Sequence, residues 1–487
     1  MGGVVVEERR VVVIGAGSSG LCMAINLKKA GHDDILILEK ASGLGGTWWH
    51  NSYPGAECDV QSHLYSFSFE QKNDWSQPFA GQAEILDYLN HCADKYDVRP
   101  HIRFETEVAA ANWNEASGRW LVETTEGDVI SAQILISALG MFNNIVMPEI
   151  AGMGDFEGTT FHSARWNHDH DLSGERVGVI GIAASAIQFV PQVAPLVGEL
   201  FLYQRTANWV VPKGNTPYTQ AQLDEFLKNP QLVTDNREEI YRTWNQLCTF
   251  QDKALMAEIE KSGLERIAEV QDPKTRERLT PNHPFGCRRP LFSDIYYPVF
   301  NRDNVELLDG NIERVTKNSI INRDGEERQV DTIIYSTGFE TTTYLSAIDV
   351  RGREGQRLAD AWQDGAQAYY GVVTAGFPNL FMLYGPNTNQ GSILYMIERE
   401  VEYVMRQIER MDEENLAWID VRPEVMSSFN ERLQENVKCI DVWQAACGGD
   451  FYYRSKSGRF VTNWPATMDD YTEQTRKAAR ADDYEVS

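Results

Sequence analysis

Val11-Val12-Val13-Ile14-Gly15-Ala16-Gly17-Ser18-Ser19-Gly20 is the stretch whose reading decides the fold. Four β-branched residues in succession are what a strand buried on both faces of a parallel sheet requires. Gly-x-Gly-x-x-Gly follows at once, and a helical pattern then runs through Leu27. In this arrangement Gly15 permits a sharp turn, Gly17 lets the backbone approach a pyrophosphate, and Gly20 lets helix pack on strand. The helix N-terminus at Ser18 and Ser19 then faces the phosphates. A second strand, residues 34–38, ends in Glu39, about twenty positions beyond the last glycine, where a carboxylate accepts hydrogen bonds from a ribose. That carboxylate disfavours a 2′-phosphate, leaving FAD or NAD for this half-site.

Working outward, the same unit recurs. Residues 177–180 form a strand, followed by Gly181-Ile182-Ala183-Ala184-Ser185-Ala186, a helix, and a strand at 200–203 ending in Gln204-Arg205-Thr206. Arg205 stands where an NAD site carries an acid, and a guanidinium there can clamp a 2′-phosphate, so the second nucleotide is expected to be NADPH. Residues 331–338 (DTIIYSTG) echo residues 133–140, each closing its own unit. Between 213 and 285 the pattern turns helical. The expected fold is therefore α/β, with two Rossmann-like dinucleotide-binding domains and a helical insertion in the second. The first domain spans 1–150 and 374–487, the second spans 151–212 and 286–373, and the insertion spans 213–285.

Composition bounds what such a chain can do. With 487 residues it can bury the cores of two or three domains, and 12 Trp, 20 Tyr and 20 Phe mark a folded, aromatic-rich protein. A formal net charge of −26 argues against a nucleic-acid partner. No apolar run reaches membrane-spanning length. The apolar N-terminus superficially mimics a signal peptide, but its glycine spacing is accounted for by the nucleotide turn. The cysteines at 22, 58, 92, 248, 287, 439 and 447 form no CxxC pair and no metal-ligand spacing. They are expected to be reduced thiols of a cytoplasmic protein, which also disfavours a disulfide reductase.

Three further strings carry a family resemblance. Gly45-Gly46-Thr47-Trp48 runs on to Tyr53-Pro54-Gly55 and Asp59; Phe156, Gly158, His162 and Trp166 are spaced as F-x-G-x-x-x-H-x-x-x-W; and Arg288-Arg289 follow the insertion. Read bare, residues 156–166 are a tight surface turn packed by aromatic rings, with His162 able to hydrogen-bond across it. Together the strings resemble the type I Baeyer–Villiger monooxygenases, and the C-terminal block (Trp443, Tyr452, Trp464-Pro465) resembles the branch typified by 4-hydroxyacetophenone monooxygenase.

The resemblance implies FAD and NADPH as cofactors, and a ketone and O₂ as substrates of a monomer or homodimer. NADPH would reduce the flavin, and a C4a-peroxyflavin would attack the carbonyl through a Criegee adduct to give an ester or lactone. It further implies that Lys40, Gly46, Thr47, Trp48, Asp59, Val60, Tyr65 and Val108 surround FAD. Gly181, Ala183, Ser185, Ala186, Gln188, Arg205, Thr206 and Arg288 would surround NADPH. Arg289 would be the catalytic cation, Asp59 would hold it, and His162 would orient the two domains. A helix from about residue 393 to 411 would aim its N-terminus at the flavin, and the acidic tail 481–487 would fray.

Three residues depart from the family pattern: Ala183 replaces a glycine, Asn167 follows Trp166, and Arg288 replaces a lysine. Two rival readings stand beside this one. One is an N- or S-oxidising flavin monooxygenase, which shares both nucleotide motifs. The other is a degenerate FAD-binding protein with impaired NADPH use, suggested by Ala183 and Asn167.

Overall fold

A computed structural model describes residues 6–444, 452–478 and 480–487. Two sheets organise it. In the first, the strand Glu7–Ile14 runs parallel to Ile35–Leu38 on one side and to Val129–Ser137 on the other. Its last four residues are buried, as a two-sided parallel strand demands. Ile102–Arg103 extends this sheet beyond Ile35–Leu38. On the far side the antiparallel strands Arg119–Thr124 and Val108–Asn114 follow, then Asp349–Arg351. Leu380–Met382 also pairs with Val129–Ser137. The second sheet is fully parallel, in the order Val305–Asp309, Glu199–Gln204, Arg176–Ile180, Thr332–Tyr335, Thr159–His162.

The internal repeat is visible atom by atom. Gly15 and Gly181 both take positive φ, +105° and +91°. A side chain at Gly15 would meet the Ala138 carbonyl at 2.7 Å, and one at Gly181 would meet the Ser336 carbonyl at 2.6 Å. Each first glycine thus turns against the end of the strand that closes its own unit.

Four expectations need correction. The chain rejoins the first sheet at Asp349–Arg351, so the second segment of domain two ends earlier than residue 373. The strand is too short for its pattern to be read. Residues 156–166 are not a free surface turn: Thr159–His162 is an edge strand of the second sheet, because its backbone pairs with Thr332–Tyr335. The tail does not fray, since Tyr484–Val486 pairs antiparallel with Ile419–Val421 and the buried Tyr484 hydroxyl bonds that of Tyr403. Finally, Cys287 is disulfide-bonded, whereas Cys22, Cys58, Cys92, Cys248 and Cys439 are free; Cys447 lies outside the described residues.

The insertion holds four helices, Gln220–Lys228, Gln231–Leu247, Lys253–Ile267 and Pro273–Leu279. Side-chain oxygens of Thr219, Asp252 and Asp272 cap three of them. It leaves and re-enters through two short parallel strands, Val210–Val211 and Leu291–Phe292, which hold its ends side by side.

Candidate active site

The first nucleotide turn opens onto a cleft. Gly15, Gly17, Ser18, Ser19, Glu39, Lys40, Gly46, Thr47, Trp48, Tyr65 and Val108 line it, as do Tyr384 and the first turn of the helix Ile393–Glu413. Gly20 sits one layer back, where helix meets turn. The helix Ser18–Lys29 begins at Gly17, which offers no side-chain oxygen, so its first N–H groups stay available to a ligand. The buried Glu39 carboxylate accepts the Ala16 and Ala41 N–H groups, both at 2.8 Å. A carboxylate can accept about four hydrogen bonds, so capacity remains for ribose hydroxyls. Lys40 Nζ donates to Asn143 Oδ1 at 2.5 Å across the cleft rim. Trp48 Nε1 donates to the Tyr65 hydroxyl at 3.1 Å, fixing one wall.

Val60 and Gln188, both expected beside a cofactor, have buried side chains. Val60 is buried and does not line the cleft; its N–H meets Cys58 Sγ at 3.4 Å. Gln188 is buried too: it accepts from the Tyr53 hydroxyl at 2.8 Å and donates to the Glu57 carbonyl at 3.0 Å. Its amide is therefore spent tying the Tyr53-Pro54-Gly55 loop to the helix Ala184–Val193.

The second turn faces outward. The helix Ala184–Val193 begins at Ala183, again with no side-chain cap. Ala183 is exposed and extended (φ −138°, ψ −160°), a conformation open to any residue, so its methyl strains nothing within the chain. Ser185 is half-buried, and Ala186 is packed in the core. Arg205 is exposed at the end of its strand, with Thr206 half-buried beside it. Among the described residues no carboxylate pairs with Arg205.

Arg289 lies where the two halves meet. Its Nη2 donates to Asp59 Oδ2 at 3.2 Å, and the side chain remains 43% exposed along its other face. Protein crowds the guanidinium and desolvation pulls its pKa down, but Asp59, then the Tyr452 and Tyr384 phenols, more than compensate and hold it above the ordinary arginine value. The cation is permanent. Arg288 is half-buried beside it.

In the fingerprint stretch, the buried His162 accepts the Ala164 N–H through Nδ1 at 3.1 Å, across a short 3₁₀ turn. Trp166 packs against Phe161 and Phe189. Gly158 passes the Asp331 carbonyl so closely that a side chain would meet it at 2.2 Å, with the Phe156 ring at 2.6 Å.

A Baeyer–Villiger monooxygenase from Pseudomonas aeruginosa is 40% identical over 462 residues, covering 94% of this chain and 87% of that protein. A second, from Streptomyces coelicolor, is 38% identical over 99% of this chain and 93% of the relative. This chain belongs to the Baeyer–Villiger monooxygenase family.

Residues 12–254 also match the pyridine nucleotide-disulphide oxidoreductase family. Solved structures agree. An oxidised steroid monooxygenase bound to NADP superposes with a TM-score of 0.87 at 32% identity, over 98% of this chain and 99% of that one. Closed cyclohexanone monooxygenase superposes with a TM-score of 0.89 at 29% identity, over 99% and 100%.

Against this monooxygenase frame, sequence reasoning passed over Glu57, Lys213, Tyr384 and the contact of Tyr452 with Arg289. Lys213 offered one signal, a lone cation between Pro212 and Gly214 in an acidic chain.

Proposed function

We propose that this monooxygenase uses Arg289, oriented by Asp59, to supply the positive charge needed when one oxygen atom from O₂ is inserted beside a ketone carbonyl, giving an ester or lactone. When bound, FAD reduced by NADPH supplies the activation of O₂. The protein's part is binding, orientation and charge. Gly17 and the uncapped N–H groups at Ser18 and Ser19 fit the FAD pyrophosphate, and Glu39 fits its ribose. Arg205, with no acidic partner among the described residues, fits the NADPH 2′-phosphate. The N-terminal end of Ile393–Glu413 presents its dipole to the same cleft, favouring negative charge there.

One observation carries the reading: Arg289 is pinned by Asp59 on one side and open on the other. A cation fixed in this way needs no reorganisation when negative charge develops beside it. Reliance on NADPH favours the cytoplasm, and a monomer or homodimer is the working assembly. Among the described residues no helix is long and apolar enough to cross a membrane.

The test is Arg289→Ala in the FAD-loaded enzyme, assayed for both NADPH consumption and ester formation from a ketone panel. NADPH consumption should persist while ester formation drops by roughly 10²–10³-fold. Undiminished ester formation would remove Arg289 from the reaction.

A further inference from the structure

Asp59 has two oxygens, and only one serves Arg289. The other faces Lys213 Nζ at 3.4 Å. Lys213 is 1% exposed, and its ammonium also meets Glu57 Oε1 at 2.7 Å and lies 5.1 Å from the centre of the Phe79 ring. Asn215 Nδ2 donates to the second Glu57 oxygen at 2.8 Å and to the Phe79 carbonyl at 3.0 Å. A lysine is almost never this buried unless its charge is answered, and here two carboxylates answer it.

The backbone is as well determined as the side chain. The Asp294 carboxylate accepts the Lys213 N–H at 3.0 Å, the Gly214 N–H at 2.8 Å and the Asn215 N–H at 3.3 Å. Asp294 follows Leu291–Phe292, which pairs with Val210–Val211, so Lys213 and Arg289 sit on neighbouring parallel segments at the two ends of the insertion. Asn208 Nδ2 adds a bond to the Arg289 carbonyl at 3.0 Å. Two cations from the ends of the insertion thus grip two anions, Glu57 and Asp59, of one loop in the first half.

The charge count gives this a consequence. Lys213, Arg289, Glu57 and Asp59 sum to zero. Without Lys213 the cluster carries a net negative charge, and Asp59 is left to Arg289 alone. Both effects oppose an anion on the open face of Arg289, since a like charge disfavours ionisation and a fully compensated cation attracts less.

We propose that Lys213 is a positioning residue for Arg289, sharing the Asp59 carboxylate so that the guanidinium stays only partly compensated and the cluster stays neutral. This rests on reading Arg289 as the cation at the reaction centre. The FAD-loaded Lys213→Met, Lys213→Arg and Lys213→Met/Glu57→Gln variants would be compared with the wild type by flavin midpoint potential, product formed per NADPH consumed, and Tm. Lys213→Met should lower the potential and cut product per NADPH by roughly tenfold. Lys213→Arg, and the charge-neutral double variant, should return both toward wild type.

A Lys213→Met enzyme with unchanged potential and product yield, whatever its Tm, would make Lys213 a merely structural ion pair and overturn the proposal. So would a double variant with the defect of the single one. If Lys213→Met does not fold, the double variant decides by the same two readings. Arg289→Ala serves as the control: if it leaves product formation intact the underlying reading fails, and if it abolishes product while Lys213→Met changes nothing, only this inference does.

Discussion

At the scale of single residues, the site depends on which groups hold charge and which are denied it. Arg289 is kept positive; His162 is kept neutral. Burial, and then the nearby Arg165 guanidinium, push the His162 pKa down to about 4, and the same two causes followed by Lys40 do so for His50. The unfolded chain binds a proton on each ring near the ordinary value of about 6.5, while the folded chain does not until about pH 4, so stability must rise with pH across that window. For His162 alone the loss on acidification reaches roughly 3 kcal/mol. Thermal midpoints taken from pH 7 to 4 should therefore fall less steeply in His162→Asn than in wild type; equal slopes would show that the ring titrates freely.

At the scale of elements, the two nucleotide units share a plan but differ where helix meets turn. A methyl group at Gly20 would meet the Gly15 carbonyl at 2.0 Å, whereas Ala186 fills the equivalent place of the second unit. Gly20→Ala must therefore shift backbone, costing about 1–3 kcal/mol, and should release FAD on dilution where wild type retains it. Ala183→Gly is the opposite case. The methyl is unstrained and exposed, so its removal should leave Tm unchanged while tightening NADPH by about fivefold, the equivalent of ~1 kcal/mol. A KM for NADPH equal to that of wild type would show that Ala183 crowds nothing.

These turns were legible in sequence because glycine position is itself the mechanism. Gln188 and Val60 turn their side chains inward, which motif membership alone does not reveal. The edge strand Thr159–His162 was missed because four residues are too few for a period, and its pairing partner lies about 170 positions further along the chain.

At the scale of the whole molecule, the question is what holds two nucleotide-binding halves in register around one arginine. The helical insertion was visible in sequence, as charged and apolar residues at helical spacing, but its role was not, because its partners are carbonyl groups and distant side chains that no local pattern marks. Its ends belong to the second half, while its helix Gln231–Leu247 is bonded to the first. Arg237 donates to the carbonyls of His63, Leu64 and Ser66 at 2.8, 3.1 and 3.0 Å. Trp244 reaches Gln61 at 2.7 Å, and Tyr241 and Asn245 each reach Asp469 at 2.7 Å. The insertion is thus a strap between the halves.

Arg237 is the point to cut. Its removal leaves three carbonyls short of a donor in a buried setting, where each lost charged hydrogen bond costs on the order of 1–3 kcal/mol. Arg237→Ala should accordingly lower Tm and open the segment 213–285 to limited proteolysis. The Arg289–Asp59 pair, fixed by neighbouring strands and by Lys213, should tolerate the cut better, so that product per NADPH falls less than total activity. If proteolysis stays as slow as in wild type, the strap is held elsewhere and Arg237 is only one of several redundant ties.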